Sequence, residues 1–444
     1  MSTEITNVTI KMDTVGLSPS YSSIIGLKDG RLMWVWGEGA KDDRPIKVNY
    51  SSDMGKMWTA PVSMKLAGGG ALTGSFETQL VRLTSGAIGL SVTRYRPADG
   101  SSVNTFHRST DEGATWSDGV DVSPPGTDIH TNHDNLIVLR TGRVVMPSFA
   151  TLRTKYLGGD PKKLRRFGED FAGGAGGVLA FGFAYYSDDE GRTWQRSKNE
   201  SWVILGNGVG GSFSIEEPAV VEMKDGRVMM VGRTQLGQYF KAYSDDGCET
   251  WSEAVPTGLA SGAAPCNIKR IPRPHLSAEP DVLSRGAGRG EHGRDHADTD
   301  LLVIWNQTSP WELMQGYYRH RLTCAISKDD GETWQHHRNL ESLDDVAYIE
   351  TPPIERLLIG KFRQPTDRKR YHRAPGPLRQ NEPALTFVDG KAVITYGICV
   401  FGDKAAIREQ FGIEYTALME KLGLAPHDRG NRVRVLDPRW FYGE

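Results

Sequence analysis

Short apolar runs broken by tight polar turns recur along this chain of 444 residues. They read Ile24–Trp36 around Asp29-Gly30, Thr78–Leu90 around Ser85-Gly86, Leu136–Met146 around Thr141-Gly142, and Ala219–Met230 around Asp225-Gly226. A fifth runs from Asn267–Ile271 to Leu301–Trp305 with an expanded turn, and a sixth is Ala384–Ile394 around Asp389-Gly390. Each run is too short for a helix and rich in β-branched residues, so each pair predicts two antiparallel strands. After five of the six pairs comes one phrase, Ser-x-Asp-x-Gly-x-Thr-Trp. It is complete at Ser109–Trp116, Ser187–Trp194 and Ser327–Trp334, carries Met57 for Thr at Ser51–Trp58, and has its Gly one place early at Ser244–Trp251. Asp supplies an acceptor for the turn backbone, Gly tolerates positive φ, and the hydroxyls can bond the same loop. These residues are therefore expected to be structural. A supersecondary unit repeated six times predicts an all-β, six-bladed β-propeller of four-stranded antiparallel blades.

Two segments depart from the period. Residues 273–299 lack apolar periodicity and read as a surface insertion, with His275, His292 and His296 as solvated loop side chains rather than metal ligands. Within 403–424, Ile407, Phe411, Tyr415, Leu418, Met419 and Leu422 recur at helical spacing, predicting a C-terminal helix packed on the propeller or at a dimer contact. The tail Arg432–Leu436 reads as a strand that could join Val8–Met12 and close the ring. The repeats span nearly all of 1–444, so one domain is expected.

Composition narrows the class. A net charge of −2 argues against a nucleic-acid partner. Cys248, Cys266, Cys324 and Cys399 have no metal-site or disulfide-framework spacing. No apolar stretch is long enough to span a bilayer and the first residues are not a leader, so no membrane partner is expected. A cytoplasmic location is the default, with a trimmed secreted protein as its alternative. No metal and no cofactor are expected, and a homo-oligomer stays open.

In a propeller the starts of the inner strands ring a central funnel, the default ligand site. Those positions hold Ser20 and Tyr21, Ser75 and Glu77, Asn132, His133 and Asp134, Glu216 and Glu217, Cys266 and Asn267, and Asn381 and Glu382. Converging carboxylates, with the His133-Asp134 pair, suit acid–base chemistry. Arg233, Arg94, Arg96, Arg319 and Arg321 end or precede strands near the rim, and a guanidinium fork suits a substrate carboxylate. Trp34, Trp36 and Trp305 could stack on a sugar or pack the core.

The repeated phrase is similar to the Asp-box of the sialidase (neuraminidase) superfamily, and the resemblance covers almost the whole chain. Its best local match is Glu217–Thr234 followed by the fourth box. The resemblance implies that Glu217 assists a nucleophile and that Arg233 belongs to a triad clamping an acidic sugar, with Arg321 as a further member and Arg319 as its competitor. It implies an Arg before the first inner strand, where Ser20 stands, and a general-acid Asp near the first box, where Asp43, Asp42 and Pro45 compete. It implies a nucleophilic Tyr heading blade six. Asn381-Glu382 holds that place, while Tyr348 lies after the fifth box. The expectation is an exo-sialidase-type glycoside hydrolase acting on a terminal acidic sugar. The alternatives are a glycosidase or polysaccharide lyase on a uronic or neutral sugar using Glu217, Glu382 and His133-Asp134, and a non-catalytic glycan-binding propeller. Asn132 completes the candidate substrate contacts.

Overall fold

A computed structural model describes residues 3–11, 21–37, 44–74, 76–96, 101–124, 129–151, 179–205, 211–262, 264–272, 299–314, 319–351, 376–400 and 404–444. Six antiparallel sheets form the blades. Their inner strands are Ser23–Gly26, Phe76–Arg82, the interrupted pair Ile129–Thr131 and Ile137–Val138, Glu216–Glu222, Asn267–Arg270, and Leu378–Val388. Blade six takes its third strand, Arg429–Leu436, from the C-terminal end and its outer strand, Glu4–Lys11, from the N-terminal end, with Val8 opposite Val433. This tie closes the ring as the apolar pattern predicts. Apolar side chains between neighbouring blades form the core, as where Ile25, Met33 and Val35 of blade one meet Leu80, Leu90 and Val92 of blade two.

The Asp-boxes of blades two, three and five hold each of those blades to the one before it. In the third box Ser187 Oγ donates to Asp189, the Gly191 amide donates to Ser187 Oγ, and Thr193 donates its amide and its hydroxyl to Asp189. Burial raises the Asp189 carboxyl, but these donors outweigh it and hold it down at about 2. The residue after the box Asp sits at positive φ and reaches backwards. Glu112 accepts from the Lys28 amide of blade one, Glu190 from the Ser85 amide of blade two, and Asp330 from the Lys224 amide of blade four. In the fourth box Cys248, at φ 77°, takes over the amide contact to Ser244.

The box glycine is where the previous blade packs closest. Gly191 has φ +85°, and a Cβ there would be driven into the Phe106 ring of blade two. Gly191→Ala is expected to cost about 2–4 kcal/mol from the left-handed backbone and the overpacking together. A urea midpoint shift equivalent to under about 0.5 kcal/mol would show that blades two and three are not held at this contact.

Helical periodicity in 403–424 yields two helices, Lys404–Phe411 and Tyr415–Lys421. Gly412, at φ +67°, breaks them apart. Ile407, Leu418, Met419 and Leu422 bury against Leu378, Ile398 and Val400 of blade six. No described helix is long and apolar enough to cross a membrane. Residues 273–298 lie outside the described residues.

Candidate functional site

Five inner strands are headed by a non-glycine residue in the left-handed region: Tyr21 at φ 68°, Glu77 at 57°, Asp134 at 53°, Glu217 at 46° and Glu382 at 51°. In blades two, four and six the pairing register slips there, between Phe76 and Gln79, Glu216 and Ala219, and Asn381 and Ala384. Such backbone costs about 1 kcal/mol or more per residue and persists where the surroundings over-determine it. The same strained turn thus recurs at equivalent places around the channel and carries an acidic or phenolic group each time.

Glu382 is buried and the Glu217 side chain is 14% exposed, and their surroundings drive them apart. Burial raises Glu217; Arg233 opposes this and the charge of Glu382 adds to it, leaving the carboxyl pushed up to about 7. Arg233 Nη1 lies 2.8 Å from Glu217, a contact that alone would favour the ionised acid. Its guanidinium is shared, however: Nη2 and Nε bond Glu216 at 2.6 and 3.1 Å, so burial wins at Glu217. Burial also raises Glu382, but Arg319, which donates to it directly, and then His133 overcome this and hold it below its ordinary value. His133 Nδ1 lies 3.3 Å from Glu382, while its Nε2 faces the Pro383 carbonyl at 3.2 Å. Burial keeps the imidazole below its usual range.

Tyr21 shares this space. Its ring meets His133 edge-on at 6.1 Å between centroids. The charge of Glu382, then burial and the charge of Glu217, push the phenol well above its ordinary value, so it stays protonated. Across the funnel, burial also raises Glu77, which accepts from Thr93 Oγ1 at 2.8 Å and the Thr131 amide at 3.2 Å and lies 3.9 Å from His130. Asn132 Nδ2 donates to the Glu217 carbonyl at 3.2 Å and so fixes backbone beside the pair.

Several expected residues stand elsewhere. Asp134 accepts from Ser23 at 2.5 Å, from Asn267 and Lys269 at 3.0 Å, and from the Leu385 amide at 2.8 Å. These bonds join blades one, three, five and six, and with both oxygens engaged Asp134 serves as a channel tie rather than an acid or base. Arg321 is fully buried, with Glu312 at 2.7 and 2.9 Å and Asp344 at 2.8 Å, so it braces blade five; Arg319 takes the funnel position instead. Tyr348 is 57% exposed and lies against His337 of the outer strand of blade five. Trp36 is 2% exposed and donates to Asn49 at 2.7 Å; Trp34 and Trp305 are fully buried. These tryptophans pack the core and present no face to a sugar. Arg94 is exposed on the second strand of blade two. Asp43, Asp42, Ser20 and Ser75 lie outside the described residues, as does the Arg96 side chain. Among the described residues no group of His, Cys, Asp and Glu could hold a metal ion.

The BNR repeat-like domain family matches residues 95–352. No curated protein sequence matches the chain. A Dyadobacter fermentans protein of unknown function superposes with a TM-score of 0.53 at 16% identity, covering 98% of both chains. Trypanosoma rangeli sialidase, solved with sialic acid, gives 0.50 at 11% identity over 98% of this chain and 57% of its own. Leech intramolecular trans-sialidase gives 0.50 at 13% over 88% and 67%. At these identities the likeness is one of fold.

Proposed function

The chain belongs to the BNR repeat-like domain family, and from that premise, with the sialidase propeller fold, we propose that the funnel is a glycosidase active site run by Glu217 and Glu382. One observation carries this reading: two carboxyls at equivalent blade heads are pushed towards opposite protonation states, Glu217 up and Glu382 down. Environments that split two carboxyls in this way assign an acid and a base. Glu217, protonated near neutrality, gives its proton to the leaving glycosidic oxygen. Glu382, ionised, takes the proton of the attacking water or bonds the anomeric carbon itself, and inversion or retention at that carbon tells the two apart. The exo-sialidase reading would use Tyr348, Arg321 and Asp43. Tyr348 lies against His337, Arg321 is taken up by Glu312 and Asp344, and Asp43 lies outside the described residues, so we read the paired carboxyls as the better-supported chemistry. The test is release of a fluorophore from a panel of glycosides. No release from any of them by folded protein sinks the proposal.

Tyr21 has a place in this chemistry. A phenol held protonated between two carboxyls can donate to whichever is ionised or to a sugar hydroxyl. Tyr21→Phe keeps the ring against His133 and removes the donor. It is expected to lower kcat about 10-fold to 100-fold, with little effect on stability. An unchanged kcat and pH profile would make Tyr21 a packing residue.

A further inference from the structure

We infer that the sugar taken by this funnel carries no anionic group on the ring whose bond is cleaved, because the two guanidiniums that the described residues set against Glu217 and Glu382, those of Arg233 and Arg319, are already engaged by the protein's own carboxyls. This rests on the funnel being the sugar site. Arg233 is held by Glu216 and Glu217, and Arg319 by Glu382 and by Asn381 Oδ1 at 3.2 Å. Arg321, which would complete a cationic clamp, is locked by Glu312 and Asp344. The strained blade heads are Tyr21, Glu77, Asp134, Glu217 and Glu382, one phenol and four acids with no base among them. Protonating Glu77 and Glu217 leaves Glu216 and Glu382 balanced against Arg233 and Arg319; ionising either makes the set negative. A substrate carboxylate would have to take a guanidinium from a buried enzyme carboxylate and leave that charge uncompensated. Sugar hydroxyls meet no such conflict, since they can donate to carboxylates and accept from a phenol such as Tyr21.

Nitrophenyl glycosides of neutral pyranoses should be compared with a sialoside and with uronides on the full chain. The best neutral glycoside is expected to exceed every anionic one in kcat/KM by about 100-fold. Faster turnover of the sialoside or a uronide overturns the inference while sustaining a glycosidase. If no glycoside is turned over, the glycosidase reading fails and binding decides. Saturation-transfer NMR should then show contact with a neutral sugar; contact with sialic or uronic acid alone, or with none, overturns the inference. Glu382→Gln supplies an independent arm. It releases Arg319, so affinity for free sialic acid should rise about 10-fold over the wild type. A wild type that binds sialic acid as tightly as the variant also overturns the inference.

Discussion

Glu217→Gln is expected to lower turnover by about 10²–10⁴-fold while making the protein more stable above neutral pH. Both effects come from one shift. The carboxyl ordinarily ionises near 4.5, and in the funnel it does so at about 7. Because the folded value is raised, the protonated acid is the favoured form. The wild type is unpenalised below about pH 4.5, loses stability as pH rises towards 7, and carries the full cost above it. That cost is about 3 kcal/mol for a shift of this size. Gln removes the charge and keeps the shape, and Arg233 retains Glu216 at 2.6 Å. Thermal unfolding at pH 8 and at pH 4 should therefore separate variant from wild type at the higher pH alone.

The same shift predicts the wild-type pH profile. The acid must be protonated to serve the leaving group, so kcat/KM should fall about tenfold per pH unit above 7. Glu382, held low, sets the acid limb. A Glu217→Gln variant with full activity would remove Glu217 from proton transfer. A variant that loses activity without gaining stability at pH 8 would show that the carboxyl is ionised in the folded protein at neutrality.

The architecture is legible in the chain because its signals are local. An apolar run, a Gly turn and an Asp-box each act within a dozen residues or so, and even the closing strand near Val8 can be read from its own pattern. The funnel positions follow from the repeat. Which side chains work there does not, because that depends on partners far apart in sequence. Arg319 and Arg321 are two residues apart on one strand approach, yet one meets Glu382 and the other Glu312 and Asp344. Asp134 resembles a catalytic acid beside His133 until Ser23, Asn267, Lys269 and Leu385 occupy it. Tyr21 heads blade one in the sequence, but its nearness to Glu382 and Glu217 arises only when the ring closes. A signal was present all the same, since Tyr21 occupies the same step of the repeat as Glu217 and Glu382.

Arg233→Ala should abolish activity and also cost about 3–5 kcal/mol of stability. From the sequence alone, Arg233 reads as a rim residue whose loss spares the fold. Its position changes that expectation. Arg233 is 7% exposed and Glu216 6%, and the guanidinium is hydrogen-bonded to Glu216 and lies within ion-pair distance of Glu217. Removing it leaves Glu216 ionised and buried with no counter-charge. Glu217 can escape by staying protonated, since burial already favours that form, so the penalty falls on Glu216. The double variant Arg233→Met with Glu216→Gln should recover most of the lost stability, because it removes the charge together with its partner. It should not recover activity, because Glu217 would then lose the only influence among its three largest that holds its pKa down. The acid would release its proton less readily, and the alkaline limb of any residual activity should move above 7. Urea unfolding of the two variants, with pH profiles of residual turnover, checks both parts. If Arg233→Ala costs under about 1 kcal/mol, Glu216 is not held by this arginine, and the charge balance of the funnel would have to be redrawn without that pair.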